Sequence, residues 1–106
     1  MLNWNQAIIT KTIQLSDQTS IFNVEITDSN DFAFIPGQFI TFDLPIHEKR
    51  NKRLRSYSIA SAPNGSDQIE LIIGKVPDGD ASKFLFDKSQ CDVGTKLSYR
   101  GPLGVF

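Results

Sequence analysis

Arg55-Ser56-Tyr57-Ser58-Ile59-Ala60-Ser61-Ala62-Pro63 puts a cation, an aromatic ring and several hydroxyls into one short segment. Ile59 and Ala60 make it apolar enough to be anchored in a core. If it is extended, alternate side chains share a face, so Arg55 and Tyr57 point one way and Ser56 and Ser58 the other. A guanidinium is a planar fork suited to phosphate oxygens. The tyrosine offers a flat face and a polar tip, and the Ser58 hydroxyl can donate or accept a hydrogen bond. Such a set suits a ligand carrying both a phosphate and an aromatic ring system. Taken alone, the nonamer also reads as a strand end with an exposed arginine and a half-buried tyrosine.

Working outward, strand periodicity recurs on both sides. Towards the N-terminus, Ala7 to Leu15 is rich in Ile and Thr and ends at the polar turn Ser16 to Ser20. Phe22, Val24 and Ile26 alternate with Asn23, Glu25 and Thr27, which predicts one buried face. Asp28-Ser29-Asn30-Asp31 reads as the next turn. Pro36-Gly37 suits a type II turn, because Pro36 sets φ and Gly37 permits positive φ. A strand should leave that turn through Phe39 to Leu44 and stop at Pro45. On the other side, Asn64-Gly65-Ser66-Asp67 is a hairpin-type loop. Ile69 to Ile73 is expected as a central strand, with Gly74 letting a ligand approach the backbone.

One helix is predicted, over Ala81 to Asp87, with Asp78 or Asp80 as its cap. A helix opening just after Gly79 would present unpaired N–H groups to an anion, with Ser82 adding a hydroxyl. A capped surface helix without a ligand is the alternative. After Val93-Gly94-Thr95, a last strand is expected over Lys96 to Arg100. It leaves through Gly101-Pro102-Leu103-Gly104-Val105-Phe106 and an apolar strip of Leu103, Val105 and Phe106.

Composition bounds the function. The 106 residues fit one domain, and 40% apolar with 22% charged content marks a globular chain. A net charge of -1 does not advertise nucleic-acid binding. One Cys and one His leave no disulfide, zinc site or iron–sulfur cluster within the chain. Cys91 has no base near it in sequence and reads as an incidental thiol. No apolar run is long enough to span a membrane, and the N-terminus lacks the features of a signal peptide, so the expected setting is cytoplasmic. The most charged stretch, His47 to Arg55, holds five cations against one acid. It reads either as a solvated loop or as a cationic rim beside a phosphate site or an acidic partner.

Four motifs in order now identify a likeness. Pro36-Gly37-Gln38-Phe39, Arg55-Ser56-Tyr57-Ser58, Gly79-Asp80-Ala81-Ser82-Lys83-Phe84-Leu85 and Gly101-Pro102-Leu103-Gly104 resemble the flavin-binding domain of the ferredoxin–NADP reductase superfamily. The resemblance implies an all-β fold: a six-stranded antiparallel Greek-key β-barrel with one short helix, as the strand count above also suggests. It implies FAD as cofactor, since FMN has no second phosphate for the helix start. Arg55 would bind the pyrophosphate, with Gly79, Ala81 and Ser82 at the helix start. Tyr57 would lie against the isoalloxazine, Ser58 would hydrogen-bond near the reactive ring nitrogen beside Ser56, and the backbone of Ile73, Gly74 and Lys75 would line the cofactor.

By the same resemblance, residues 1–106 are one FAD-binding domain of a longer protein whose C-terminal NAD(P)-binding domain follows. The whole would be an NAD(P)H-dependent oxidoreductase passing electrons through FAD to an iron–sulfur or haem protein such as a ferredoxin. No residue of this chain need be catalytic, because the flavin carries the electron chemistry. The loop before the helix holds one glycine, Gly79, where many relatives have two. Two other readings stand beside this one: a barrel that binds a partner and has lost flavin, and a small barrel binding single-stranded nucleic acid. The basic stretch lacks the interleaved aromatics that the last would need.

Overall fold

A computed structural model describes residues 4–27 and 32–104. The expected turn at Asp28 to Asp31 and the ends of the apolar strip, Val105 and Phe106, lie outside these. Strands β1 (Asn5–Gln14), β2 (Thr19–Ile26), β3 (Phe39–Asp43), β4 (Leu54–Ser58), β5 (Gln68–Gly74) and β6 (Lys96–Leu103) form a single antiparallel sheet in the order β4-β3-β6-β1-β2-β5. Among the described residues, one helix, α1 (Asp80–Leu85), and a single 3-10 turn (Arg50–Lys52) complete it.

Alternation decides which side of each strand is inside. In β2, Ser20, Phe22, Val24 and Ile26 are buried while their neighbours are only half-buried. In β5, Ile69, Leu71 and Ile73 are buried and Ile72 is 53% exposed. Buried residues of β1, β2, β3, β5 and β6 form one core with Phe84 and Leu85 of α1, and the half-buried Tyr57 of β4 packs against it. Phe86, just past the helix, sets its ring edge-on to Phe22 at 5.7 Å, a favourable aromatic geometry.

Curvature comes from two irregularities. β1 shifts register between Ile9 and Lys11, so its first half pairs with β6 and its length with β2. Such a bulge bends and twists a strand. β6 shifts against β3 between Phe39 and Thr41. There Gly101 holds φ +131°, and a Cβ on it would stand 3.1 Å from the Phe39 carbonyl oxygen. Only glycine takes that backbone at no cost. Gly101→Ala is therefore expected to lower folding stability by about 1–3 kcal/mol, read from urea unfolding.

Ile69 to Ile73 is a strand, but it is not central. β5 is one edge of the sheet and β4 is the other. The edges meet beyond the end of β4 through an Ile59–Leu71 bridge, an Ala60 N–H bond to the Glu70 carbonyl at 2.8 Å, and a Glu70 N–H bond to Ser61 Oγ at 3.0 Å. No ladder joins β4 itself to β5, so the sheet is not closed into the barrel that the sequence suggested. The Pro36-Gly37 turn forms as expected: Gly37 has φ +94° and Gln38 N–H bonds to the Ile35 carbonyl at 3.2 Å. Among the described residues, no helix is long and apolar enough to cross a membrane.

Candidate functional site

The open seam between β4 and β5 has Arg55, Ser56, Tyr57 and Ser58 along one edge and Gly74 on the other, while Gly79, Ala81 and Ser82 lie at the start of α1. On β4, Tyr57 lies opposite Ile40 and Arg55 opposite Phe42, so both share the face of the buried β3 residues. Ser56 lies opposite Thr41 on the other face, and their hydroxyl oxygens are 2.8 Å apart. Ser58 shares that outer face and is exposed. The two-faced reading of the segment is thus the observed one.

Backbone polarity alternates in the same way. Ile59 N–H bonds to the Gln38 carbonyl and Leu44 N–H to the Arg53 carbonyl. By alternation, Arg55 and Tyr57 turn their backbone groups to β3, while Ser56 and Ser58 turn theirs to the seam. Across it, Ile26 N–H bonds to Asp67 and Lys75 N–H to Gln18. Ile73 and Lys75 therefore face β2, and the groups facing the seam are those of Ile72 and Gly74. Of Ile73, Gly74 and Lys75, only Gly74 offers its backbone to a ligand there. Ile73 contributes a buried side chain instead.

Arg55 folds back locally. Its Nη1 donates to the Lys52 carbonyl at 3.2 Å and the Leu54 carbonyl at 2.9 Å. Those bonds aim the fork and leave Nε and Nη2 available for a second acceptor. Tyr57 is half-buried, with its ring 6.1 Å from that of Phe42. Burial pushes its phenol above the usual range, with Arg55 pulling weakly the other way, so it stays a neutral hydrogen-bonding group at neutral pH.

The helix start differs from expectation in three respects. Gly79 is the N-cap, and neither Asp78 nor Asp80 caps with its side chain. Asp78 sits at φ +60° in the turn closed by the Gly79 N–H bond to the Val76 carbonyl at 3.0 Å. This is a position glycine adopts freely. Ser82 is 7% exposed, and its hydroxyl accepts the Val76 N–H at 2.7 Å. It ties the loop to the helix and keeps its proton and one lone pair for a second partner. Ala81 is buried beside it. With six residues and Asp80 already in its first turn, α1 has little dipole to spare for an anion. Arg55 is the seam's cation with donors to spare.

Sequence reasoning missed several supporting residues. Asp43 grips Arg53, Nε to Oδ1 at 2.8 Å and Nη2 to Oδ2 at 3.3 Å, just before β4 begins. Gln38 donates from Nε2 to the Gly104 carbonyl at 3.0 Å and accepts the Ile35 N–H at 2.9 Å, joining the first motif to the last. The only signal for Gln38 was its place in Pro36-Gly37-Gln38. Asp43 gave none, because its partner lies ten residues away in a loop.

Two concavities lie apart from the seam. One, of about 740 Å³, is lined by residues such as Leu44, Phe84 and Leu97. The other, of about 300 Å³, includes Lys75 and Cys91. Of the predicted residues only Lys75 touches either. An elongated ligand lying along an open strand edge needs a seam rather than an enclosed cavity. The Cys91 thiol is buried and pushed up to about 11 by desolvation and by Asp92, so it is no thiolate nucleophile at neutral pH.

The residues at the seam fit a flavin dinucleotide: a half-buried aromatic face, an adjacent hydroxyl, strand-edge backbone groups and an arginine with spare donors. Comparison with known proteins points the same way. The sequence profile of the oxidoreductase FAD-binding domain matches residues 6–106. The chain is 34% identical over 101 residues to the toluate 1,2-dioxygenase electron transfer component of Pseudomonas putida, covering 95% of this chain and 28% of that protein. It is 31% identical over 100 residues to the anthranilate 1,2-dioxygenase electron transfer component of Acinetobacter baylyi, covering 93% and 27%. A solved structure of the ferredoxin reductase in carbazole 1,9a-dioxygenase superposes with a TM-score of 0.80 at 26% identity, over 97% of this chain and 29% of that one. The chain thus spans under a third of the length of these relatives. With the four motifs, the all-β fold and these likenesses in agreement, the chain belongs to the oxidoreductase FAD-binding domain family of the ferredoxin–NADP reductase superfamily.

Proposed function

We propose that this chain is the flavin domain of an NAD(P)H-dependent reductase that passes electrons through FAD to an iron–sulfur or haem protein. The observation that carries this reading is the open β4–β5 seam, flanked by Arg55, Tyr57 and Ser58 on one side and Gly74 on the other. In this reading the six strands form a Greek-key barrel whose remaining gap the cofactor fills. The NAD(P)-binding domain belongs to the longer protein of which residues 1–106 are one part, and the setting is cytoplasmic, where that reductant is made.

FAD, when bound, supplies the hydride acceptance and the release of electrons. The chain's own residues bind and orient. Arg55 holds the pyrophosphate with Nε and Nη2, helped by the backbone around Gly79, Ala81 and Ser82. Tyr57 covers one ring face and limits water there. Ser58 would offer its exposed hydroxyl to the reactive ring nitrogen, and Ser56 bonds to Thr41 across to β3. Lys75 and the buried Ile73 hold the far side of the seam in place.

Titrating the purified chain with FAD and FMN by calorimetry tests this reading, with FAD expected to bind more tightly. Tyr57→Ala should shift the flavin absorption bands and weaken binding by on the order of 1 kcal/mol, while Tyr57→Phe should retain most of the packing. No detectable FAD binding would instead favour a barrel that binds a partner without flavin. Spectra identical to wild type in both variants would place Tyr57 away from the ring.

A further inference from the structure

Asp43 is the last residue of β3 and stands opposite Leu54 in register. Alternation sets it on the side of Thr41 and Ser56, while Arg55 lies opposite Phe42 on the other side. Among the described residues its ion-pair partners are Arg53 and Arg50, not Arg55. Any influence of Asp43 on a ligand held by Arg55 must therefore travel through the chain.

The path is short and made of hydrogen bonds. Asp43 takes the Arg53 fork with both oxygens, Nε to Oδ1 at 2.8 Å and Nη2 to Oδ2 at 3.3 Å. Arg53 Nη1 donates to the Glu48 carbonyl at 3.3 Å, and the Leu44 N–H closes the loop on the Arg53 carbonyl at 3.0 Å. Inside that loop, the Lys52 N–H bonds to the Lys49 carbonyl and the Arg53 N–H to the Arg50 carbonyl, which forms the 3-10 turn. The Lys52 carbonyl then accepts Arg55 Nη1 at 3.2 Å. The second acceptor of Nη1, at 2.9 Å, is the carbonyl of Leu54, the register partner of Asp43. Both groups that aim Arg55 thus belong to segments that Asp43 holds. The Asp43 and Arg53 side chains are only 16% and 25% exposed, so water loosens this pair less than it does a surface ion pair.

We propose that Asp43 is a positioning residue for the phosphate-binding arginine, presetting Arg55 through Arg53 and the turn; this rests on the flavin reading above. Two effects of Asp43 oppose each other. Its negative charge repels a pyrophosphate, while the preset fork favours one. The charge is already met by Arg53 at 2.8 Å and Arg50 at 3.8 Å, so little of it reaches the ligand and positioning wins. The sign of the effect separates the two: removing the charge at constant size weakens FAD binding if Asp43 positions, and tightens it if Asp43 acts only by repulsion.

The test is a double-mutant cycle on the full chain: wild type, Asp43→Asn, Arg55→Ala and the two combined. Flavin fluorescence quenching gives the FAD Kd of each, and urea unfolding shows that each is folded. Asp43→Asn is expected to raise the Kd on the order of 5-fold in the wild-type background and to change nothing where Arg55 is already alanine. An equal loss in both backgrounds would mean a general loosening of the fold and overturns the positioning role. FAD binding unchanged or tightened by Asp43→Asn overturns it too. Should Asp43→Asn not fold, Arg53→Lys enters the same cycle with the same two outcomes, since it keeps the charge and loses the fork. A wild-type chain that takes up no FAD overturns the flavin reading itself, and a wild-type chain that binds FAD with no coupling between the two sites overturns only the role of Asp43.

Discussion

Arg55→Ala will weaken FAD binding by about 1.5–3 kcal/mol, roughly 10- to 150-fold in Kd, with little loss of folding stability. The guanidinium is half-exposed, and its bonds within the chain are to the Lys52 and Leu54 carbonyls, groups that water can satisfy in its absence. Its worth to the fold is therefore small. Its worth to a pyrophosphate is that of a charge-assisted, forked contact from a strand held in register by β3. Arg55→Lys should fall between wild type and alanine, because an ammonium keeps the charge and loses the fork. Flavin fluorescence quenching measures the affinity and urea unfolding the stability. Equal FAD affinity in Arg55→Ala and wild type would remove Arg55 from the site, whatever the unfolding curves show.

Phe42→Ala will have the largest effect on stability, about 3–5 kcal/mol. Phe42 is 1% exposed, pairs with Arg55 on one side and Tyr99 on the other, and supports the Tyr57 ring. Truncating it removes the transfer energy of a buried ring and leaves a cavity beneath the seam. A domain of this size is stable by on the order of 5–15 kcal/mol, so the variant loses a large share of its margin. The urea midpoint should fall with the slope unchanged. Ile72→Ala is the matched control: Ile72 is 53% exposed on an edge strand, and its loss should stay within about 0.5 kcal/mol. A Phe42 variant no less stable than the Ile72 variant would contradict the packing described here.

The loop between β3 and β4 shows how small polar contacts serve the site. Asp43 fixes Arg53, Arg53 fixes the chain entering β4, and the Lys52 carbonyl then meets Arg55. A half-buried, two-bonded arginine–carboxylate pair is worth more than a surface ion pair, because its geometry is preset. The pair adds little to the core and much to the direction in which Arg55 points.

Local information was enough for the six strands, the two-faced Arg55-Tyr57 segment and the Pro36-Gly37 turn. Each depends on a period of two or on the φ preference of one or two residues, and neighbours in the chain carry both. The four motifs likewise identified the flavin-domain family, because their order survives in the sequence itself. Pairing across distant segments was not legible. Ile69 to Ile73 has the apolar density of a central strand, yet β5 is an edge, because strand order depends on which remote strand takes each side. Asp78, Asp80 and Ser82 were read as cap and anion ligands from position alone. In the fold, Gly79 is the cap and Ser82 holds the Val76 amide, since a buried hydroxyl bonds to whichever backbone group the packing brings near. The sequence by itself determined which residues face inward and what ligand chemistry the chain can offer. Only tertiary structure decided where the sheet stays open, which backbone groups line that seam and which cations remain free, because each depends on partners ten to sixty residues away.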